Sequence, residues 1–337
     1  MCFNDRALSI SILLRSNQPT RHIESPADLV AFVNDVHQHP AMVFSLDTLV
    51  ITLDGPYPVD ALREALFAAV QLEDLILLLP TNDTPDNILN GLHFAHLELF
   101  KTNLPHRYVT PFLLQQPSLI SLCLGSCGRE HGEPCPLQVH NLSHVVTAEY
   151  PVSCIAGIAH PKLLRLTVEG GCHLYNTPTS LRSIRPFPSL FALTLDFFPD
   201  DYDILESVVR VAPRLQKLKL IENHRAYVRP FSGQLSWSRS LFQLEHLEDL
   251  SLRTSATFLP PPLALSAEAA AILKWVSRKR RNAQPGKALQ DHPTLSFIRI
   301  WYHRRAPGNG IITTWSKSTG TWQNIVRTIA PPLGTAF

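Results

Sequence analysis

Little in this chain of 337 residues suits a membrane span, a disulfide scaffold or a familiar catalytic centre. The apolar run from Ala7 to Leu14 is too short to cross a bilayer, which takes about 20 apolar residues. It also lacks a basic leader and a small-residue cleavage site. Six cysteines, mostly unpaired in spacing, indicate buried thiols of a reducing compartment rather than a disulfide framework. The sequons at Asn82-Asp83-Thr84 and Asn141-Leu142-Ser143 mean little without a secretion signal, so the expectation is an intracellular protein, cytoplasmic or nuclear. A phosphate-binding glycine loop, a nucleophile elbow, a zinc-protease helix and a kinase set are all missing. Gly170-Gly171 and Gly308-Asn309-Gly310 read as turns, and no residue stands out for catalysis or for a cofactor. Charge is scarce too: 17% of residues are charged against 45% apolar, the composition of a well-buried globular chain.

What the chain does contain is a repeat. Leu215-Gln216-Lys217-Leu218-Lys219-Leu220-Ile221-Glu222-Asn223 reads L-x-x-L-x-L-x-x-N, the signature of one leucine-rich repeat. On a strand, Leu218 and Leu220 share one face while Lys217, Lys219 and Ile221 share the other. A single unit cannot bury its own leucines, so copies must stack. The same spacing recurs at Leu46/Leu49/Ile51, Leu72/Leu75/Leu77, Phe94/Leu97/Leu99, Leu119/Leu122/Leu124 and Leu163/Leu166/Val168. It continues at Leu190/Leu193/Leu195, Leu215/Leu218/Leu220, Leu247/Leu250/Leu252 and Leu295/Ile298/Ile300, with a degenerate copy near Leu142 to Val146. Up to Leu215 the mean interval is about 24 residues, inside the range of this repeat. The expected fold is therefore an α/β leucine-rich repeat solenoid, a horseshoe with a parallel sheet on its concave face and irregular helices outside. It forms one domain over 1–337, clearest over 46–255.

The segments between the strands fit that plan. An early strand is expected over Arg6 to Leu14, followed by a helix capped by Ser25-Pro26 with Leu29, Phe32, Val33 and Val36 on one stripe. Helices are expected over Asp60–Val70, Tyr108–Gln116 and Asp203–Val211, and Pro117, Pro161 and Pro213 each precede the next repeat. Pro260-Pro261-Pro262 opens a helical insertion of about 260–290, whose helix runs from Ser266 to about Arg280 and ends on Arg278, Lys279, Arg280 and Arg281. Residues 295–337 close the C-terminal end, with a strand pair and a short helix carrying Trp301, Trp315 and Trp322.

Cys123, Cys127, His131 and Cys135 are four apart in a Gly-rich stretch, a set that could bind zinc. Against this, Cys127 occupies the ladder position of its repeat, and Cys123 lies between two core leucines, pointing to the other face. On this ground no metal is expected. The candidates for partner contact are the residues that alternate with core leucines on the concave face. They are Glu98, Phe100, Arg165, Glu169, Asp196, Lys217, Lys219, Asp249, Arg253, Arg299 and Trp301. Residues 1–168 carry 9 Lys and Arg against 16 Asp and Glu, and residues 169–337 carry 21 against 12. An acidic half and a basic half offer differently charged surfaces to partners.

The phrases Phe112-Leu113-Leu114-Gln115-Gln116-Pro117-Ser118-Leu119-Ile120-Ser121-Leu122-Cys123-Leu124 and Val209-Arg210-Val211-Ala212-Pro213-Arg214-Leu215-Gln216-Lys217-Leu218 carry a resemblance. With the irregular interval over roughly 40–302, the chain resembles the leucine-rich repeat region of fungal F-box proteins. That resemblance implies a scaffold that presents a substrate to a cullin-type ubiquitin ligase. The family's Leu-Pro-rich F-box ahead of the repeats is absent, so an adaptor partner is implied only if an F-box is supplied elsewhere. The leading expectation is non-catalytic protein recognition on the concave face. The alternatives are a nuclear or nucleic-acid factor using the basic C-terminal half, and a truncated product without function. Arg278–Arg281 fits a nuclear signal or a solvated helix end, and it lacks the interleaved aromatics of a single-strand groove.

Overall fold

The computed structural model describes residues 19–80, 84–129, 133–139, 142–157, 160–170, 177–198, 201, 203–223, 234–255, 265–279, 289–303, 310–318 and 320–330. The strand expected over Arg6 to Leu14 and the Pro260–Pro262 break lie outside them. The described residues form two compact units, one ending at Leu163 and one beginning at Leu164. Both are α/β with mostly parallel strands.

In the first unit six strands lie side by side in sequence order, all parallel. They are β1 (Thr20–Ile23), β2 (Thr48–Thr52), β3 (Asp74–Leu78), β4 (Leu99–Thr102), β5 (Ser121–Leu124) and β6 (Thr147–Pro151). Parallel neighbours cannot be joined by a tight hairpin, so each link crosses back over the sheet. The links use α1 (Pro26–Gln38) with a 3-10 turn at Pro40–Ser45, α2 (Val59–Ala68), α3 (His106–Leu113) and a 3-10 turn at Pro136–Val139, and a further 3-10 turn at Val152–Gly157 follows β6. α1 starts where the sequence places it. Pro26 occupies its first turn, and Ser25 Oγ accepts the Asp28 N–H at 3.2 Å, satisfying one of the helix's open donors. Leu29, Phe32 and Val33 face inward.

The ladder corrects two registers. Leu75 pairs with Phe100 and Phe100 with Leu122, so the third repeat is Leu97/Phe100/Thr102 rather than Phe94/Leu97/Leu99. Phe94 is a core residue of another kind. Its ring packs edge-on against Phe112 at 6.0 Å, and the buried Gln116 side chain accepts its N–H at 3.0 Å. Leu97 then takes the leading position and the Phe100 ring packs tilted against Phe112 at 5.0 Å. The degenerate copy shifts likewise: Leu122 pairs with Ala148, so it reads Val145/Ala148/Tyr150. Asn103, directly after β4, ties its repeat to the one before by accepting the Leu79 N–H at 2.9 Å and donating to the Leu79 carbonyl at 2.7 Å.

In the second unit β7 (Arg165–Glu169), β8 (Ala192–Phe197), β9 (Lys217–Glu222) and β10 (Asp249–Ser255) are parallel neighbours. α4 (Thr177–Arg182), α5 (Ile204–Val211) and α6 (Gln234–Leu241) lie between them in sequence, and α7 (Leu265–Val276) follows β10. Here the leucine register is as read: Leu166, Leu193, Leu218 and Leu250 stack in one row and Val168, Leu195, Leu220 and Leu252 in the next. None of these eight side chains is more than 2% exposed. Burying each stabilises the stack by about 1.5–3 kcal/mol.

The insertion departs from expectation. α7 ends at Val276, and Arg278 and Lys279 belong instead to a short strand, β11 (Ser277–Lys279), antiparallel to β12 (Leu289–Asp291). Arg278 has better partners there than a helix end provides: its guanidinium lies 4.8 Å over the Phe242 ring and donates to Gln290 Oε1. Arg280 and Arg281 are outside the described residues. β13 (Phe297–His303) then pairs parallel to β10, and β14 (Gly310–Ser318) and β15 (Thr321–Ala330) finish the unit as an antiparallel pair. The expected final helix has no counterpart among the described residues. A buried carboxylate closes this end: Glu268 of α7 accepts from Tyr302 Oη at 2.8 Å, Thr313 Oγ1 at 3.3 Å and Trp315 Nε1.

Candidate functional site

Each strand offers one face to the leucine core and one face opposite it. In the first unit the opposite face is largely buried on β2–β4, while His22 on β1 is exposed and Ser121, Thr147 and Glu149 on β5 and β6 are half-buried. Val50, Ile76 and Leu99 form a buried apolar cluster there with Leu78 packed against it, and Thr48, Asp74, Lys101 and Cys123 are also buried. The register places Phe100 on the leucine face, fully buried, and puts Leu99 and Lys101 where Glu98 and Phe100 were expected. Glu98 precedes β4, where its carbonyl accepts the N–H groups of Ile120 and Ser121.

In the second unit the opposite face is accessible. Parallel pairing aligns Ala192, Lys217, Asp249 and Phe297 in one row with Arg165, and Thr167, Thr194, Lys219, Ser251 and Arg299 in the next. A third row carries Asp196, Ile221, Arg253 and Trp301. Arg165, Lys217, Phe297 and Arg299 are exposed, and Glu169, Lys219, Arg253 and Trp301 half-buried. Local contacts hold the side chains in place. The Arg253 guanidinium lies 5.2 Å above the Trp301 ring, Lys217 Nζ lies 5.3 Å from the Phe191 ring, and Arg299 forms an ion pair with Asp249. Asp196 is buried, as is its row neighbour Ile221: it is 2% exposed, and its Oδ2 accepts the Gly170 N–H and Asn223 Nδ2 at 3.2 Å each. It braces the turns after the strands.

A second constellation lies in the first unit. Of the four cysteine and histidine positions singled out by spacing, Cys127 and Cys135 are brought together. Cys123 sits on β5 between Leu122 and Leu124, outside that group, and His131 is outside the described residues. The companions are His106, at the first turn of α3, and Cys154, in the 3-10 turn after β6. Their donor atoms all lie within 4.8 Å of one another, and all four residues are buried. His106 Nδ1 is 3.3 Å from Cys135 Sγ.

The three thiols are far from equivalent. Hydrogen bonding from Cys154 and then from His106 brings the Cys135 thiol down to about 4, overcoming its burial. Cys154 is pushed up, first because its S–H donates to Cys135 and then by burial. Burial followed by the charge of Cys135 raises Cys127. His106 and Cys154 escape a reading by local spacing because they lie 21 residues before and 27 after Cys127, about one repeat away on each side. Parallel pairing of β4, β5 and β6 brings residues of that separation together, so a search at the interval between neighbouring strands is the signal that finds them.

Among the described residues no helix is long and apolar enough to cross a membrane. No protein-family model matches the chain, and no curated protein matches it in sequence.

Proposed function

We propose that the chain is a non-catalytic recognition protein whose repeats wind as a leucine-rich repeat solenoid. Its partner is a protein surface that docks on β7–β10 and β13. One observation carries this reading: in the second unit Arg165, Lys217, Lys219, Arg253 and Arg299 stand in register on a single accessible face, with Phe297 and Trp301 beside them. Arg and aromatic side chains are the usual anchors of protein interfaces. The leucines that alternate with them are committed to the core, so the face can vary in chemistry without disturbing the fold. The narrower role, as the substrate-recognition part of a cullin-type ubiquitin ligase, rests on the cadence of the repeats alone. It requires an F-box supplied elsewhere.

The test compares proteins captured from the native cell by the wild-type chain and by a triple variant, Lys217→Glu, Lys219→Glu and Arg253→Glu. A partner that binds here is lost by the variant but kept by a chain bearing Glu64→Lys, which lies in the first unit. Equal capture by the variant and the wild type overturns the placement. Recovery of a cullin and its adaptor with the wild-type chain supports the ligase role, and capture of a partner without them dismisses it.

A further inference from the structure

The group of His106, Cys127, Cys135 and Cys154 plays no part in the strand-face reading. We propose that these four side chains hold a zinc ion in a closed, tetrahedral Cys3His site that clamps three consecutive connections of the first unit.

The donor chemistry selects the ion. Three sulfurs and an imidazole nitrogen form a soft set that suits zinc, whereas calcium and magnesium take oxygen ligands. Zinc–sulfur bonds of about 2.3 Å set tetrahedral sulfurs about 3.8 Å apart. Here one nitrogen–sulfur pair is at 3.3 Å and no pair exceeds 4.8 Å, so small side-chain rotations bring all four to a central ion. A disulfide explains the group less well, since three sulfurs cannot pair off and a bridge would leave a thiol and an imidazole buried beside it. The protein supplies every ligand position and all are buried, so no position is left open for water or a substrate. The site is structural.

The backbone is already shaped for it. The His106 N–H donates to the Cys127 carbonyl at 3.0 Å, which fixes two ligands relative to each other. Gly128 follows at φ +66°, and a Cβ there would stand 2.7 Å from Pro105 Cβ, so only glycine lets the chain turn beneath α3. Arg129 then donates to the Glu133 carbonyl at 2.8 Å and to the Ser153 carbonyl at 3.1 Å, tying the excursion between Cys127 and Cys135 to the residue before Cys154. His106 belongs to the connection after β4, Cys127 and Cys135 to the one after β5, and Cys154 to the turn after β6. The described parts of the last two hold 3-10 turns in place of amphipathic helices. The ion supplies the cross-links that packed helices supply elsewhere.

The experiment measures metal in the full-length chain purified under reductant without chelator. One equivalent of zinc per chain is expected, falling to background in the double variant Cys127→Ser, Cys154→Ser and unchanged in Cys123→Ser. Chelation should lower the thermal midpoint, and added zinc, but not magnesium, should restore it. If the double variant does not fold, cobalt titrated into the stripped wild-type chain decides. An intense visible spectrum of tetrahedral, thiolate-rich cobalt supports the site, and a weak octahedral spectrum overturns it. A reduced, folded chain that binds neither metal, or a double variant that keeps its full equivalent of zinc, overturns it as well.

Discussion

Phe100 and Glu98 show how much turns on a register of three residues. By spacing both stand on the face opposite the core, yet Phe100 pairs with Leu75 and Leu122 and is fully buried. Phe100→Ala should therefore cost about 3–5 kcal/mol of stability, well above the cost of Glu98→Ala, whose half-buried side chain lies just outside the strand. Urea unfolding of the two variants measures the contrast, and equal, small effects would mean the ladder is misaligned. The misreading has a physical origin. Phe94, Leu97 and Leu99 reproduce the leucine spacing by coincidence, because Phe94 serves a local aromatic contact with Phe112 and Leu99 fills the apolar cluster on the opposite face. Alternation along one strand does not identify which face is the core when both faces are apolar. In the second unit Lys217 and Lys219 flank Leu218, only one face is apolar, and the register follows directly from the sequence.

At the scale of elements, two buried polar side chains fasten the last part of the second unit. Glu268 on α7 receives donors from β13 and β14, so Glu268→Ala orphans Tyr302 Oη, Thr313 Oγ1 and Trp315 Nε1 of those bonds. With Thr313 Oγ1 and Trp315 Nε1 losing these bonds at about 1–3 kcal/mol for each buried group left unsatisfied, the loss should appear as a lower urea midpoint. His292, between β12 and β13, donates from Nε2 to the Leu241 carbonyl at 2.9 Å and accepts the Thr294 and Leu295 N–H groups on Nδ1. Burial holds its pKa below the usual histidine value against the backbone hydrogen bonds at Leu241 and Leu244; Lys317 pushes the same way as burial and Glu245 opposes. The unfolded chain therefore takes up a proton that the folded chain resists. The stability that depends on neutral His292 is complete above the ordinary value of about 6.5 and is lost as pH falls through it toward the lowered value. Unfolding midpoints at about pH 7.5 and about pH 5.5 should fall further apart in the wild type than in His292→Gln, and identical drops would refute this. Neither fastening was legible in advance, because each joins residues tens of positions apart across an insertion. The leucine rows and the helices that back them were legible, since each is written in a local period.

For the whole molecule, the charge difference between the two halves decides between classes of partner. With 21 Lys and Arg against 12 Asp and Glu, the second half is basic, but its strand face also carries Glu169 and an Asp249 paired with Arg299. A protein partner meeting such a mixed face should lose affinity only gradually with salt. A nucleic acid would release a counterion for nearly each phosphate neutralised and give a steep log–log slope. Affinity of the captured partner, and of a plain duplex oligonucleotide, measured across a salt series separates the two. A steep slope with tight duplex binding would replace the protein reading.

The convergence of His106, Cys127, Cys135 and Cys154 also bears on how this chain can change length over evolution. Connections between parallel strands commonly absorb insertions, and the long interval after β10 is such a place. Three successive connections whose side chains must meet within one small volume have no such freedom. Residues gained or lost between Pro105 and Cys127, or between Cys135 and Cys154, would carry one donor away from the others. The stretch from 105 to 154 should therefore vary in residue type while keeping its length, even as the segments on either side of it grow and shrink.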